Sequence, residues 1–244
     1  LAGCLGTRDG PVPEPTVTGD RIDDWRQINE SRSTVFKQSY GPVTVRALER
    51  TRIYEYVDVA EALAATFDAS GSPVVFFATR IDLRPAVDQL PAGVGRDRLM
   101  AAVETAAVDA FRAQLRNSGI EDVEIADEGT TTVKSGHTAT AWRLVGSYAL
   151  DGELPLPDGS TTSFDQTVEM ESRLGVWHDG TDVIVAGGAY PTDPLIETID
   201  EALPDLVDAE TLVAELAGAD AADALATDPA AFDEDVSQLL ISVE

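Results

Sequence analysis

This 244-residue sequence contains two histidines, His137 and His178. Imidazole titrates near neutral pH and ligates metals readily, so both are candidates for proton transfer or metal binding. Both fall in predicted turns at strand ends. Neither has a second ligand at a metal-binding spacing such as His-x-x-x-His. The sequence therefore favours two solvated turn residues, and a zinc site built from both would need carboxylates that the spacing does not reveal.

Serine and glycine motifs for nucleophilic or phosphate chemistry are incomplete. Ser70-Gly71-Ser72 lacks the Gly-x-Ser-x-Gly frame of a nucleophile elbow, and Gly93-Val94-Gly95 lacks the third glycine of a dinucleotide loop. Gly187-Gly188 falls inside a predicted strand, where it indicates a bulge or close backbone packing, with a ligand approaching the backbone as the alternative. We predict no catalytic, cofactor-binding or metal-binding residue from these patterns.

Carboxylates are so abundant that some pair by chance, and Asp23-Asp24 has little weight for that reason. Asp233-Glu234-Asp235 is dense enough to attract divalent cations loosely, but it lacks the Asp-x-Asp-x-Asp-Gly loop of a hand-type calcium site. A solvated helical face explains it more simply. Asn29-Glu30-Ser31 has the form of an N-glycosylation sequon, which an exported location permits.

The single cysteine, Cys4, ends the sequence Leu1-Ala2-Gly3-Cys4 and precedes a Pro/Gly-rich run at 10–15. A lone thiol excludes a disulfide within this sequence, and a buried or incidental free cysteine is the alternative. Leu-Ala-Gly-Cys resembles the lipobox of lipoproteins, where small residues admit the signal peptidase before a cysteine that carries the lipid. The resemblance implies that a signal peptide is removed and that Cys4 is lipidated, which makes the membrane a partner of the protein.

The composition is strongly acidic, with 17 Lys plus Arg against 44 Asp plus Glu and a net charge of −27. Disorder requires low hydrophobicity, whereas 43% of these residues are hydrophobic and a core is expected. Only two of the cationic residues are lysines, Lys37 and Lys134. This composition resembles proteins of halophilic archaea, whose surfaces suit salt that shortens the Debye length to about 3 Å at 1 M. An acidic secreted or metal-buffering protein is the alternative, and nucleic acid and anionic lipid are expected to be repelled.

Residue patterns predict six strands and one long helix in residues 20–190. The long helix runs from about Arg96 to Asn117, since apolar residues recur there near 3.6-residue spacing. A shorter helix is expected at Val59–Phe67, and Ile22, Trp25 and Ile28 are spaced for another. The predicted strands are Val43–Tyr56, Pro73–Leu83, Val123–Val133, Thr138–Leu150, Ser163–Trp177 and Val183–Tyr190. The Asp179-Gly180 turn predicts a hairpin between the last two strands.

The two ends of the chain differ from this body. Residues 1–19 carry the lipobox and a predicted flexible linker. Residues 191–244 are rich in Ala, Asp, Glu and Leu, and Thr227-Asp228-Pro229 is a good start for the last helix. We expect these acidic helices to pack on the sheet, with a semi-detached tail that docks onto a partner as the alternative.

Short turns between strands imply antiparallel pairing, and a long amphipathic helix among them implies a helix laid on a sheet. The predicted class is α+β, with about six strands covered by the long helix. This arrangement is similar to the Mog1 and PsbP superfamily, and the lipobox with the acidic composition resembles uncharacterised lipoproteins of halophilic archaea. The resemblance implies a module on the extracellular face of the cell membrane that binds other envelope proteins or a small ligand. An extracytoplasmic hydrolase with dispersed active-site residues is the alternative.

Overall fold

The computed structural model describes residues 10–40, 43–67, 71–85, 96–156, 159–179, 182–204 and 206–244. Cys4, Ser70 and Gly93-Val94-Gly95 lie outside these ranges. The strands are β1 Trp25–Tyr40, β2 Val43–Tyr56, β3 Val75–Arg84, β4 Ile120–Thr132, β5 Thr138–Pro155, β6 Thr161–Asp179 and β7 Asp182–Pro191. The helices are α1 Val57–Phe67, α2 Arg96–Asn117, α3 Leu195–Ala202, α4 Ala209–Ala217, α5 Ala219–Leu225 and α6 Pro229–Ile241, preceded by a 3₁₀ helix at Asp20–Asp24.

The described strands form one antiparallel sheet in the order β1-β2-β3-β7-β6-β5-β4. The α+β class and the antiparallel pairing are therefore confirmed. The expectation of about six strands is corrected to seven, because β1 was missed. β1 and β2, and the four strands β4 to β7, pair with their neighbours in sequence, β2 pairs with β3 across the α1 connection, and the pairing of β3 with β7 joins the two halves of the sheet.

The missed strand β1 begins where the sequence predicted a helix through Ile22, Trp25 and Ile28. The helical part ends at Asp24, and Trp25 instead packs edge-on against Tyr56, with ring centroids 5.4 Å apart. β1 is an edge strand paired only with β2, and most of its described side chains are exposed. A strand exposed on both faces has no alternation of apolar and polar residues, so its pattern gives no strand signal.

Helices cover both faces of the central strands, with α2 on one face and α6 on the other. Neighbouring positions of β7 show this directly, since a Cβ on Gly187 would meet Phe111 of α2 and a Cβ on Gly188 would meet Val236 of α6. Every residue of β7 is buried. The remaining helices α1, α3, α4 and α5 pack together and contact β5 and β6. No helix within the described ranges is both long and apolar enough to cross a membrane.

The last helix begins as the Thr227-Asp228-Pro229 pattern predicted. The Asp228 side chain accepts a hydrogen bond of 2.9 Å from the Ala230 backbone N–H, and Pro229 occupies the first turn. The apolar stripe of α6 then faces the sheet, with Phe232, Val236, Leu239 and Leu240 buried.

Residues 10–18, which we call the N-terminal strap, lie across the same face as α6. Thr16 and Glu244 exchange two backbone hydrogen bonds of 2.8 Å, and Glu14 forms ion pairs with Arg50 and Arg52 of β2. Val12 is buried. The sequence predicted a flexible linker through residue 19, but these contacts tie its described part to the body, because its apolar and acidic side chains find partners there.

Candidate functional site

A cavity of about 80 Å³ lies between α2 and the sheet. Its helix side is lined by Ala106, Ala107, Ala110 and Gln114, which recur at helical spacing on one face of α2. Larger side chains on the same helix, Val103, Phe111 and Leu115, are buried in the core, and Phe111 also lines the cavity. Because alanine is too short to reach the sheet from α2, this part of the interface stays open where a leucine would fill it.

The sheet side of the cavity carries polar groups. The hydroxyls of Thr51 and Thr79 lie 2.8 Å apart, in residues that pair directly across β2 and β3. Glu49, also in the lining, accepts a hydrogen bond of 2.7 Å from the Ser33 hydroxyl. Hydroxyls donate and accept hydrogen bonds, whereas a carboxylate only accepts. The cavity therefore offers most to a ligand that brings a hydrogen-bond donor or a positive charge to Glu49.

Phe77, Ile81 and Val185 supply apolar surface beside these polar groups. Apolar surface beside a few converging polar groups is the lining chemistry of small-molecule sites, but this cavity is far smaller than the roughly 300–1,000 Å³ of a typical one. A volume of about 80 Å³ has room for about five waters, or for a ligand with a similar number of non-hydrogen atoms. The described lining includes neither histidine, and no group of three or more His, Cys, Asp or Glu residues is placed to hold a metal ion within the described ranges.

A second polar cluster lies under α6, on the opposite face. The Tyr190 hydroxyl is 2.5 Å from Asp233 Oδ1 and 3.0 Å from Glu171 Oε1, and it accepts a hydrogen bond from Arg173 Nε at 3.2 Å. Burial raises the pKa of Tyr190 well above its ordinary value, and the hydrogen bond to Asp233 raises it further. The tyrosine stays protonated, and the cluster joins α6 to β6 and β7 through matched charges.

The two histidines do not come together as a metal site within the described structure. His137 lies in the turn before β5, where its Nε2 is 3.8 Å from Asp179 Oδ1. The sequence predicted a turn at His178, but His178 is the penultimate residue of β6 and pairs with Val183. That position follows from the length of β6, which continues to Asp179 before the hairpin.

The acidic run at the start of α6 is only partly a solvated face, since Glu234 is exposed and Asp235 is buried. Asp233 pairs with Arg173, while Glu234 and Asp235 both pair with Arg21. Burial raises the pKa of Asp235, and the charge of Arg21 opposes that shift. The three carboxylates are therefore engaged with arginines within the fold.

The remaining sequence candidates lie outside the cavity, apart from Gly187. Ser72 is buried, and its hydroxyl accepts a hydrogen bond of 3.0 Å from the Val74 backbone N–H. Asp23 and Asp24 are exposed in the 3₁₀ helix, and Asn29 is exposed in β1. The Gly187-Gly188 pair continues the ladders of β3 and β6 without a register shift, so it is not a bulge.

The Gly187-Gly188 pair allows close backbone packing, which was one of the interpretations drawn from the sequence. A Cβ on Gly187 would lie 2.3 Å from the Arg173 carbonyl oxygen, and one on Gly188 would lie 2.7 Å from the Val75 carbonyl oxygen. Gly187 also lines the cavity. Sequence reasoning missed the cavity itself, since its lining consists of ordinary alanines, threonines and one glutamate from separate segments.

Three comparisons relate the chain to known proteins. A family model described as a domain of unknown function, DUF6517, matches residues 14–244. No curated protein matches. A structure titled "Crystal structure of the di-domain ARO/CYC BexL from the BE-7585A biosynthetic pathway" is 11% identical, with 80% of this chain and 89% of that chain covered, but its TM-score of 0.10 carries no argument.

Proposed function

Because the chain belongs to the DUF6517 family, a domain of unknown function, its role must come from its own geometry, and we propose that it is a membrane-anchored, extracytoplasmic ligand-binding module. The cavity between α2 and the sheet carries this proposal. Its ligand is a compact molecule with a short apolar part and a hydroxyl or ammonium group, because the alanine wall suits the first and Glu49 suits the second.

The anchor in this proposal is a lipid on Cys4. The motif Leu1-Ala2-Gly3-Cys4 supports it, and a chain of buried methylenes stabilises such an anchor by about 0.8 kcal/mol each. A net charge of −27 with only two lysines among 17 cationic residues supports an origin in a halophilic archaeon. Both features fit display on the outer face of the cell membrane, in contact with envelope proteins and with small extracellular molecules.

Melting temperatures in n-butylammonium, n-butanol and butyrate test the cavity. A ligand that binds only the folded state raises stability with its concentration. We expect butylammonium to raise the melting temperature most, butanol less and butyrate not at all, since Glu49 repels a carboxylate. Glu49→Gln should abolish the preference of butylammonium over butanol.

Matched variants on α2 separate cavity binding from general solvent effects. Ala110 is exposed at the mouth of the cavity, so Ala110→Leu should close it without overpacking the core. Ala113→Leu is the control, because Ala113 is exposed and outside the lining. The shift should disappear in Ala110→Leu and persist in Ala113→Leu; equal shifts in both would refute the site.

Fractionation of cells tests the anchor independently of the cavity. Cys4→Ser should move the protein from the membrane to the medium, because the thioether can no longer form. Thr7→Ser is a control for changes in the same segment. Retention of Cys4→Ser on the membrane would defeat the anchor and leave the cavity untouched.

A further inference from the structure

One face of β1, β2 and β3 is unusually rich in positive charge. Residues paired directly across antiparallel strands point to the same side of the sheet, and two rows of three cations cross these strands in register. The rows are Arg32–Arg50–Arg80 and Lys37–Arg46–Arg84. Together with Arg52 we call these residues the cationic face. Glu14 of the N-terminal strap reaches Arg50 and Arg52, so this is the face that the strap crosses.

The cationic face contrasts with the charge of the whole chain. It holds seven of the 17 lysines and arginines, and among the described residues four acidic side chains pair with it. Like charges directly opposite each other destabilise a sheet. Five of these seven cations have an acidic partner among the described residues, so the need for an external anion rests on the remaining two, Lys37 and Arg46.

The inner and outer parts of the cationic face differ. Internal ion pairs of 2.7 Å neutralise the inner part, where Arg80 contacts Asp182 and Arg84 contacts Asp82. Lys37 and Arg46 are exposed at the outer part. Neither has an ion-pair partner among the described residues. These two side chains are available to bind an external anion.

The N-terminal strap places this face near the proposed anchor. Arg84 donates a hydrogen bond to the carbonyl oxygen of Gly10, and Cys4 precedes Gly10 by six residues, which span at most roughly 20 Å. We infer that the cationic face docks on the phosphate-bearing headgroups of the membrane that holds the lipid on Cys4. This inference rests on the anchor in the proposed function.

The net charge of the protein does not oppose this contact at short range. At physiological ionic strength the Debye length is about 8 Å, and it is shorter in stronger salt, so acidic groups on distant surfaces are screened. Guanidinium binds phosphate through paired, charge-assisted hydrogen bonds that act at contact distance. The opposite edge of the sheet, β4, carries Glu121, Glu124 and Glu128 and would face away from the bilayer.

Lysine acetylation on vesicles tests the docking, because the two lysines report on opposite edges. Lys37 belongs to the cationic face, and Lys134 is exposed in the turn between β4 and β5. The single thiol of Cys4 is coupled to a maleimide lipid in vesicles of phosphatidylcholine with or without phosphatidylglycerol. Brief acetylation followed by mass spectrometry then gives the modification of Lys37 relative to Lys134.

We expect the relative modification of Lys37 to fall severalfold on the anionic vesicles only. Arg46→Gln should weaken that protection about fivefold, since one cation near an anionic surface contributes about 1 kcal/mol. Arg116→Gln, at an exposed site on α2, should leave it unchanged. Equal ratios on both vesicles, or no effect of Arg46→Gln, would overturn the inference.

A solution arm separates the membrane from a soluble anion. If inorganic phosphate alone protects Lys37 in uncoupled protein, a soluble anion is the partner and the membrane assignment falls. Chemical coupling replaces natural lipidation in the vesicle arms. A negative result on the vesicles therefore counts against docking by the cationic face, whereas retention of Cys4→Ser on the membrane in cells counts against the anchor.

Discussion

Asp233 of α6 lies 2.5 Å from the hydroxyl of Tyr190 in β7, a buried residue. Asp233 keeps its ion pair with Arg173 when this hydroxyl is removed, so the expected cost is that of one hydrogen bond to a charged group, about 1.5–3 kcal/mol. We therefore expect Tyr190→Phe to lower the free energy of unfolding by that amount, measured by denaturant titration in high salt.

Tyr148→Phe is the control for this measurement. Burial raises the pKa of Tyr148 as well, but none of the described hydrogen bonds involves its hydroxyl. Its loss should change stability by less than about 0.5 kcal/mol. Similar losses of stability in both variants would show that the hydrogen bond to Asp233 does not stabilise the fold.

Gly187→Ala should destabilise the protein through overpacking from two sides. The added Cβ would lie 2.3 Å from the Arg173 carbonyl oxygen and 3.0 Å from Phe111. Overpacking of this kind costs about 1–3 kcal/mol or more. Gly129→Ala in β4 is the control, because nothing lies within 4 Å of its Cβ position. Thermal melts of both variants check the difference, and a harmless Gly187→Ala would contradict the close packing of α2 on β7.

The pKa of Glu30 gives a prediction about acid. The hydrogen bond from Arg50 lowers the pKa of Glu30 below its ordinary value of 4.5. A carboxyl with a lowered folded-state pKa stabilises the fold above about pH 4.5 and loses this contribution as pH falls through the folded-state pKa. The difference in melting temperature between wild type and Glu30→Gln should therefore shrink below that pH.

Glu128→Gln is the matched control for Glu30→Gln. Glu128 is exposed in β4, and no ion pair involves it among the described residues. The difference in melting temperature between wild type and Glu128→Gln should not shrink on acidification. Parallel curves for the two variants would argue against the Arg50 contact.

The dependence of the melting temperature on salt should come mainly from places where carboxylates face each other. The groove between α1 and α5 is lined by Asp58, Glu61, Asp220 and Asp223. Of the four, Glu61 alone has an arginine in the described structure, Arg26 at 3.2 Å. Asp220→Asn with Asp223→Asn should raise the melting temperature in 0.1 M KCl but not in 2 M, because the Debye length falls to about 3 Å near 1 M.

Wild-type protein provides the reference in the same experiment. Its melting temperature should climb steeply between about 0.1 and 2 M KCl as repulsion is screened. A flat response would count against salt adaptation. An equal benefit of the double variant at both salt concentrations would show that repulsion in this groove is not the cause.

The sequence was informative where one face of an element is buried. The bounds of α2 and β2 agree with the predicted Arg96–Asn117 and Val43–Tyr56, because burial imposes a periodic pattern. β1 was missed because its side chains are mostly exposed on both sides of an edge strand. The pairing of β3 with β7 joins residues about a hundred positions apart, which local patterns do not encode.

The candidate site could not be predicted because its residues are chemically ordinary. Thr51 and Thr79 are brought together only by the β2–β3 register. Ala106 and Ala110 contribute because their short side chains leave space between α2 and the sheet. The spacing of alanines on α2 was visible in the sequence. Their effect depends on which strands lie beneath them, and that is set by the fold.

Intermolecular nuclear Overhauser effects between n-butylammonium and the methyl groups of Ala106 and Ala110 test the cavity most directly. We predict contacts from the butyl chain to both methyl groups and to the Thr51 methyl, saturating with concentration and absent in Ala110→Leu. Contacts confined to outward-facing methyl groups such as that of Ala113, or none at all, would contradict a ligand site between α2 and the sheet.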